Sequence, residues 1–276
     1  MIYKVNTMKA DKTAFIKTNY MENSVRIEKD VRRELADAGF TTVDEYDNKS
    51  CDLIVCIGGD GAFLNLVHEL NFPAAPIIGI NTGHLGFFQE IEAEQFHEFM
   101  TNYINGSYQE QTISAVDIFI TSGGKVYRET GLNEVVVKGT VGCNVHLNMS
   151  IGGSFIETFT GDGILVATPA GSTAYNYSLG GSIVDPRLRL LQVTPLAPIN
   201  TVAYRSFTSS LMLPAGSALG LIPEHAPAPD IQIEFDGFSI DYHNVTEMKV
   251  KLSRKCVKFL RLDSYDFWSK VKSKFL

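Results

Sequence analysis

A parallel α/β layer followed by a β-rich, sandwich-like domain is the fold class this sequence predicts. Two continuous apolar runs of strand length, at 53–57 and 77–80, alternate with helix-period segments at 24–38, 62–70 and 96–103. From about Tyr108 onward the helical period gives way to strand signals separated by Gly-Gly turns.

Each element has its own warrant. Residues 2–5 form a short β-leaning start. Residues 24–38 place Val31, Leu35 and Ala38 on one face, with Gly39 as a stop. The runs at 53–57 and 77–80 lack alternation, as expected of strands buried on both faces. Phe63, Leu66, Val67 and Leu70 recur at helical spacing, and so do Phe96, Phe99, Met100 and Tyr103, which Gly106 ends. Strands are then predicted at 116–121, 134–137, 144–151, 155–159, 164–167, 231–235 and 248–252. The stretch 223–229, rich in Pro and Ala, reads as a surface loop. Residues 264–275 read as a capped helix with Phe267, Trp268, Val271 and Phe275 available for burial. The expected boundaries are 1–107 for the α/β domain, completed by about 263–276, and 108–262 for the β-rich domain.

Composition narrows the classes of function. Of 276 residues 24 are basic and 31 acidic, a formal charge of −7, which argues against a nucleic-acid-binding surface spread over the chain. With 45% hydrophobic and 20% charged residues, the chain is of the core-building kind. Residues 1–10 carry no apolar secretory run, and no apolar stretch reaches membrane-spanning length, so a cytoplasmic protein is expected, with no membrane partner. Cys51, Cys56, Cys143 and Cys256 match neither CxxC nor a zinc knuckle and read as small hydrophobes in a reducing compartment. His97-Glu98 begins like HExxH, but Thr101 stands in the last position.

Glycine placement marks the chemistry. Gly58-Gly59-Asp60-Gly61 directly follows a buried strand and precedes a helix, where backbone N–H groups and the helix dipole receive phosphate. A carboxylate in such a loop suits proton acceptance from an attacking hydroxyl, or Mg²⁺ binding; a tight turn with a capping Asp is the plain structural alternative. No Lys-Ser/Thr follows Gly61, so a P-loop is disfavoured. Asn81-Thr82-Gly83-His84-Leu85-Gly86-Phe87-Phe88 follows the next strand and is predicted at the same sheet edge as Asp60. Phe87 and Phe88 are able to stack on a base or to pack in the core. Asn133-Glu134 suits a ribose diol or an adenine edge. A second Gly161-Asp162-Gly163 opens a stretch richer in Gly, Ser and Thr than packing requires, running to Gly181.

Taken in order, these motifs, with Leu132-Asn133-Glu134 and Ala197-Pro198-Ile199-Asn200, make the chain resemble the NAD kinases of the bacterial, Gram-positive type. The GGDG motif alone is shared with diacylglycerol, sphingosine and 6-phosphofructokinase relatives; the ordered set is specific. The resemblance implies an N-terminal α/β domain, a β-rich domain and a C-terminal tail returning to the first. It implies phosphoryl transfer from ATP, or from polyphosphate, to the 2′-hydroxyl of the adenosine ribose of NAD, giving NADP. It further implies Mg²⁺ or another divalent cation, with its ligands unassigned, and a homo-oligomer (dimer or tetramer) whose dinucleotide site lies between domains and is shared between subunits.

Carried over by position, Asp60 matches the catalytic aspartate and Gly61 the adjacent ribose contact, with Gly58, Gly59 and Gly61 at the phosphates. Phe87 belongs to the matching second motif, Asn133 and Glu134 hold the adenosine half, and Asp162 contacts the dinucleotide. Thr173, Ala174, Tyr175 and Ser178 match the loop around adenine and the nicotinamide end. Ala197 lines the site, and Asp236 matches a late substrate-contacting acid. The pattern departs at Ala62, Thr160 and Tyr177, where relatives often carry Thr, Arg and Lys. A lipid or sugar kinase of the GGDG type, and a catalytically silent dinucleotide-binding regulator, are the alternative functions.

Overall fold

The structure, a computed structural model, describes residues 12–19, 21–83, 86–140, 142–202, 205–225 and 230–276. The β-leaning start at 2–5, His84 and Leu85, and positions 226–229 of the Pro/Ala-rich stretch lie outside these residues. The chain divides into two compact units, 1–112 with 257–276, and 113–256. Both boundaries fall inside long strands, Gln109–Ser122 and Val245–Arg261. The sequence placed the boundaries at about 107 and 262 instead, because no composition break marks the inside of a strand.

The first unit begins with β1 (Lys12–Thr18), α1 (Glu22–Asp37), β2 (Phe40–Val43) and β3 (Leu53–Gly58). It continues through α2 (Asp60–Glu69), β4 (Ile77–Asn81), the two-residue β5 (Ile91–Glu92) and α3 (Phe96–Asn105). The strands are parallel, in the order β2-β1-β3-β4, with β5 continuing beside the end of β4. Every residue of β3 and β4 is buried, which explains their unbroken apolar runs. Ile27, Val31 and Leu35 of α1 and Phe96, Phe99 and Met100 of α3 pack into the same core as Leu53, Val55, Ile78 and Ile80. Gly106 ends α3 in the left-handed conformation, at φ 73°, as its sequence position predicts. β1 was not anticipated. Its apolar stretch is only Ala14-Phe15-Ile16, flanked by Lys and Thr.

The second unit is entered along β6 (Gln109–Ser122), then β7 (Lys125–Gly131), β8 (Glu134–Gly139), β9 (Val145–Ile151), β10 (Ser154–Gly161) and β11 (Gly163–Ala167). A 3₁₀ turn (Ala170–Thr173) leads to the single-turn helix α4 (Tyr175–Ser178). β12 (Leu190–Leu196), β13 (Leu211–Pro214), β14 (Ala218–Pro223), β15 (Ile231–Phe235), β16 (Phe238–Tyr242) and β17 (Val245–Arg261) complete it. One antiparallel sheet runs β13-β12-β11-β8-β15-β16; the other runs β10-β9-β14-β17, with β6 and β7 added. Val135, Val137, Ile164, Val166 and Ile233 from the first meet Leu147, Met149, Leu219, Leu221, Met248 and Val250 from the second in one core.

The chain then re-enters the first unit, where Phe259 of β17 pairs in parallel with Ile77, and finishes with α5 (Phe267–Phe275). Asp266 caps α5 by accepting from the N–H groups of Trp268 and Ser269. Of the residues expected to bury, Phe267 does so, Val271 and Phe275 are half-buried, and Trp268 remains 49% exposed. Of the four cysteines, all free, Cys56 is buried and Cys143 exposed, so the hydrophobe role fits Cys56 best. Burial pushes its thiol up to about 12. Among the described residues no helix is long and apolar enough to cross a membrane.

Candidate active site

In the first unit, β3 delivers the chain to Gly59, which caps α2, and Asp60 is the first residue of that helix. Gly58 pairs with Asn81, so the loops after β3 and β4 emerge side by side at the carboxyl ends of parallel strands. The Asp60 carboxylate does not cap its own helix. It reaches to the second loop, where Oδ2 accepts from the Phe87 N–H at 3.1 Å and Oδ1 from the Phe88 N–H at 3.0 Å. The capping alternative for Asp60 is therefore set aside, and the two glycine motifs form one constellation.

Close approach explains two of the glycines. A Cβ on Gly86 would lie 2.2 Å from both Asp60 Oδ1 and Gln89 Oε1. A Cβ on Gly58 would lie 2.6 Å from that of Ala62. Asn81 frames the second loop by donating to the Gly83 carbonyl and to Glu92 Oε1, each at 2.9 Å. The two phenylalanines are core residues. Phe87 packs against Phe267 and Phe275, and Phe88 stacks on Phe63 and Phe259. Of the two roles open to Phe87, the ring takes the packing one here, and its N–H serves Asp60.

A buried ion pair holds this second loop in place. The Arg261 guanidinium donates to Glu90 Oε2 at 2.9 Å, to Gln111 Oε1 at 2.9 Å and to the Phe87 carbonyl at 3.3 Å. Glu90 Oε1 accepts from the Leu262 N–H. Two lysines of α5 also reach the loop. Lys270 Nζ donates to the Gln89 carbonyl, and Lys274 Nζ stands 3.7 Å from Asp60 Oδ2. Sequence reasoning missed Gln89, Arg261, Lys270 and Lys274. The i, i+4 lysine pair beside Phe267 and Val271 was the legible signal for α5.

In the second unit, Asn133 directly precedes β8 and Glu134 starts it, and both are buried. Asp236, at φ 47°, accepts from the N–H groups of Leu132 (2.5 Å), Asn133 (2.8 Å) and Glu134 (3.4 Å). Its oxygens fix the backbone that presents Asn133 and Glu134, a supporting role beside the substrate contact expected of it. Burial first, then Asp236 and Glu234, pushes the Glu134 carboxyl up to about 8.

The stretch 160–181 separates into two roles. Ser172 is buried and bonded to the Pro169 and Val184 carbonyls, while Asn176 binds Ser172, Ser182 and Thr194. These residues build the turn. Tyr175 and Ser178 are exposed, and Thr173 and Ala174 are half-buried. Asp162 and Tyr175 line a cleft of about 450 Å³ with Lys138, Cys143, Asn144 and Leu196. Asn144 Nδ2 donates to Asp162 Oδ1 at 3.0 Å, and Lys138 sits 5.2 Å over the Tyr175 ring. Ala197 is exposed at φ 42°. Thr160 is buried, with its hydroxyl 3.0 Å from His146 Nδ1.

Among the described residues, the buried side-chain atoms without a hydrogen-bond partner are Asn19 Oδ1, both amide atoms of Gln89, Asn133 Oδ1 and Glu134 Oε2. Unpaired buried polar atoms are costly in a folded chain. These belong to residues at the glycine loops of the first unit and the Asn-Glu pair of the second.

A carboxylate on the first turn of a helix, framed by glycines at the carboxyl ends of parallel strands, defines a phosphate-handling α/β protein. The comparisons make that class specific. Residues 5–108 match the ATP-NAD kinase N-terminal domain, and residues 132–221 match the ATP-NAD kinase C-terminal domain. An NAD kinase of Finegoldia magna is 39% identical over 250 residues, covering 89% of this chain and 91% of its own. The chain belongs to the ATP-NAD kinase family. Its fold matches that of yeast NADH kinase complexed with NADH at a TM-score of 0.83 and 18% identity, covering 95% of this chain and 87% of that one. It also matches an Archaeoglobus fulgidus NAD kinase in complex with ATP at a TM-score of 0.75 and 22% identity, covering 95% and 99%.

Proposed function

We propose that this chain transfers the terminal phosphoryl group of ATP to the 2′-hydroxyl of the adenosine ribose of NAD, forming NADP and ADP. The carrying observation is the Asp60 carboxylate, pinned by two backbone N–H groups and still 29% exposed at the glycine loops. A ribose hydroxyl is a weak nucleophile, so a fixed carboxylate accepts its proton while the new O–P bond forms and the bond to the ADP oxygen breaks. Gly58, Gly59 and Gly61 leave backbone donors accessible to phosphate oxygens. Asn133 brings an unpaired acceptor, and Glu134 an unpaired carboxyl oxygen that, with its proton retained up to about 8, donates or accepts; both suit ribose hydroxyls or an adenine edge. The cleft with Asp162 and Tyr175 supports their assignment to the dinucleotide, with Thr173, Ala174, Ser178 and Ala197 nearby in sequence or strand order.

A divalent cation fits this site as a partner of the nucleotide. Among the described residues no group of three or more His, Cys, Asp or Glu side chains is placed to cage an ion. Asp60 is the carboxylate available to it, and triphosphate oxygens would complete its shell and gain charge neutralisation from it. A cytoplasmic homo-oligomer, dimer or tetramer, is the assembly that the family resemblance supports, and sedimentation tests it.

Both halves of the chain match NAD kinase domains, which removes the basis for a lipid or sugar kinase. Incubation with NAD, ATP and Mg²⁺ is expected to yield NADP, read by a coupled dehydrogenase, with polyphosphate run in parallel. Tight NAD binding with no ATP-dependent product would favour the silent regulator.

A further inference from the structure

The glycine loop after β3 carries no lysine, yet a phosphoryl group in transfer needs positive charge beside it. α5 brings that charge to the loop. Its first turn is anchored by buried Phe267, whose ring lies 6.0 Å from Phe87, and its last turn by Phe275, also 6.0 Å from Phe87. Phe87 is the residue whose N–H holds Asp60 Oδ2. The helix therefore sits in register with the carboxylate.

The two lysines on this face differ. Lys270 is pinned: it donates to the Gln89 carbonyl, lies 3.8 Å from Glu90 Oε2 and packs over Tyr265. Burial, then the neighbouring Arg261 charge, pushes it down to about 8. Lys274, one turn further on, is 36% exposed, lies over the Phe87 ring and stands 3.7 Å from Asp60 Oδ2, too far for a strong hydrogen bond. A lysine ammonium on a flexible four-carbon stem is able to exchange one anionic partner for another.

We propose that Lys274 is the phosphate-contacting cation of this site, pairing with Asp60 in the free protein and turning to the transferred phosphoryl group when ATP is bound. The inference rests on the phosphoryl-transfer reading above. If Asp60 accepts the proton of the attacking hydroxyl, the phosphorus must come within bonding distance of that same oxygen. A cation within 4 Å of Asp60 is then within reach of the phosphoryl oxygens.

The test compares Lys274→Met, Lys274→Arg and Lys272→Met, the last on an exposed lysine of the same helix. Lys274→Met is expected to lower kcat/KM for ATP by about 10-fold or more while KM for NAD stays within about twofold. Lys274→Arg should recover most of the loss, Lys272→Met should match wild type, and the melting temperature should not move. Wild-type kinetics in Lys274→Met would overturn the proposal. So would an equal loss toward both substrates with a lowered melting temperature and no rescue by arginine. A wild-type chain that forms no NADP would sink the functional reading instead. Calorimetric ATP binding then decides Lys274 by itself, supporting it if Lys274→Met weakens binding and overturning it if binding is unchanged.

Discussion

Asp60 and Glu134 are both carboxylates at the start of a secondary-structure element, yet their surroundings are opposite. Both oxygens of Asp60 are met by backbone N–H groups, a lysine stands nearby, and the group is part-exposed. Glu134 is buried, Oε2 has no partner among the described residues, and its carboxyl is pushed up to about 8. In the proposed reaction, the contrast separates two tasks. A group that must take a proton during reaction is positioned by rigid donors and left open on one side. A group that must recognise a ligand is held desolvated, so that any unmade hydrogen bond costs free energy.

The strongest way to break the contrast is to loosen what holds the Asp60 donors. Arg261→Met removes the closest cation from buried Glu90, leaving it the Leu262 N–H and Lys270 at 3.8 Å, and frees the Phe87 carbonyl. The expected loss is about 3–5 kcal/mol of stability, read as a lowered urea midpoint for the first unit. Next comes Gly86→Ala. Its Cβ would press on Asp60 Oδ1 and Gln89 Oε1, so turnover should fall about 10-fold or more with the fold retained. Gly83→Ala, which meets open space, should leave turnover unchanged.

The smallest effect sharpens the other side. The Glu134 carboxyl has a folded value of about 8 against an ordinary 4.5. The folded state therefore binds its proton more tightly than the unfolded chain. The associated stability is complete below about pH 4.5 and is lost as pH rises through about 8. Glu134→Gln keeps a neutral side chain at every pH. Its urea midpoint should fall less than that of wild type between pH 5 and 9, and parallel curves would contradict the assigned burial.

Legibility in the sequence follows the same physics. β3, β4 and α3 were readable because burial on two faces, or on one helical stripe, leaves a local apolar pattern. β1 was not, since three buried residues between lysines and threonines carry too short a pattern. The glycine loops were readable as motifs sharing one sheet edge; the hydrogen bonds that tie them through Asp60 were not, because a side chain reaching 27 residues ahead leaves no periodic trace. Asp236 and Phe87 carry structural roles that motif position did not disclose: Asp236 supports the Asn133-Glu134 backbone, and the Phe87 ring packs against Phe267. Ser172 and Asn176, in the same Gly/Ser/Thr-rich stretch, spend their polar atoms on the turn they build.

In the proposed reaction Asp60 takes the proton while the surrounding glycine loops bind. Asp60→Asn preserves shape and removes the base, so steady-state NADP formation measured with both substrates saturating tests it most directly. The expected result is a fall in kcat of at least about 10²-fold, with NAD binding retained by calorimetry. Turnover equal to wild type in that variant would contradict the account.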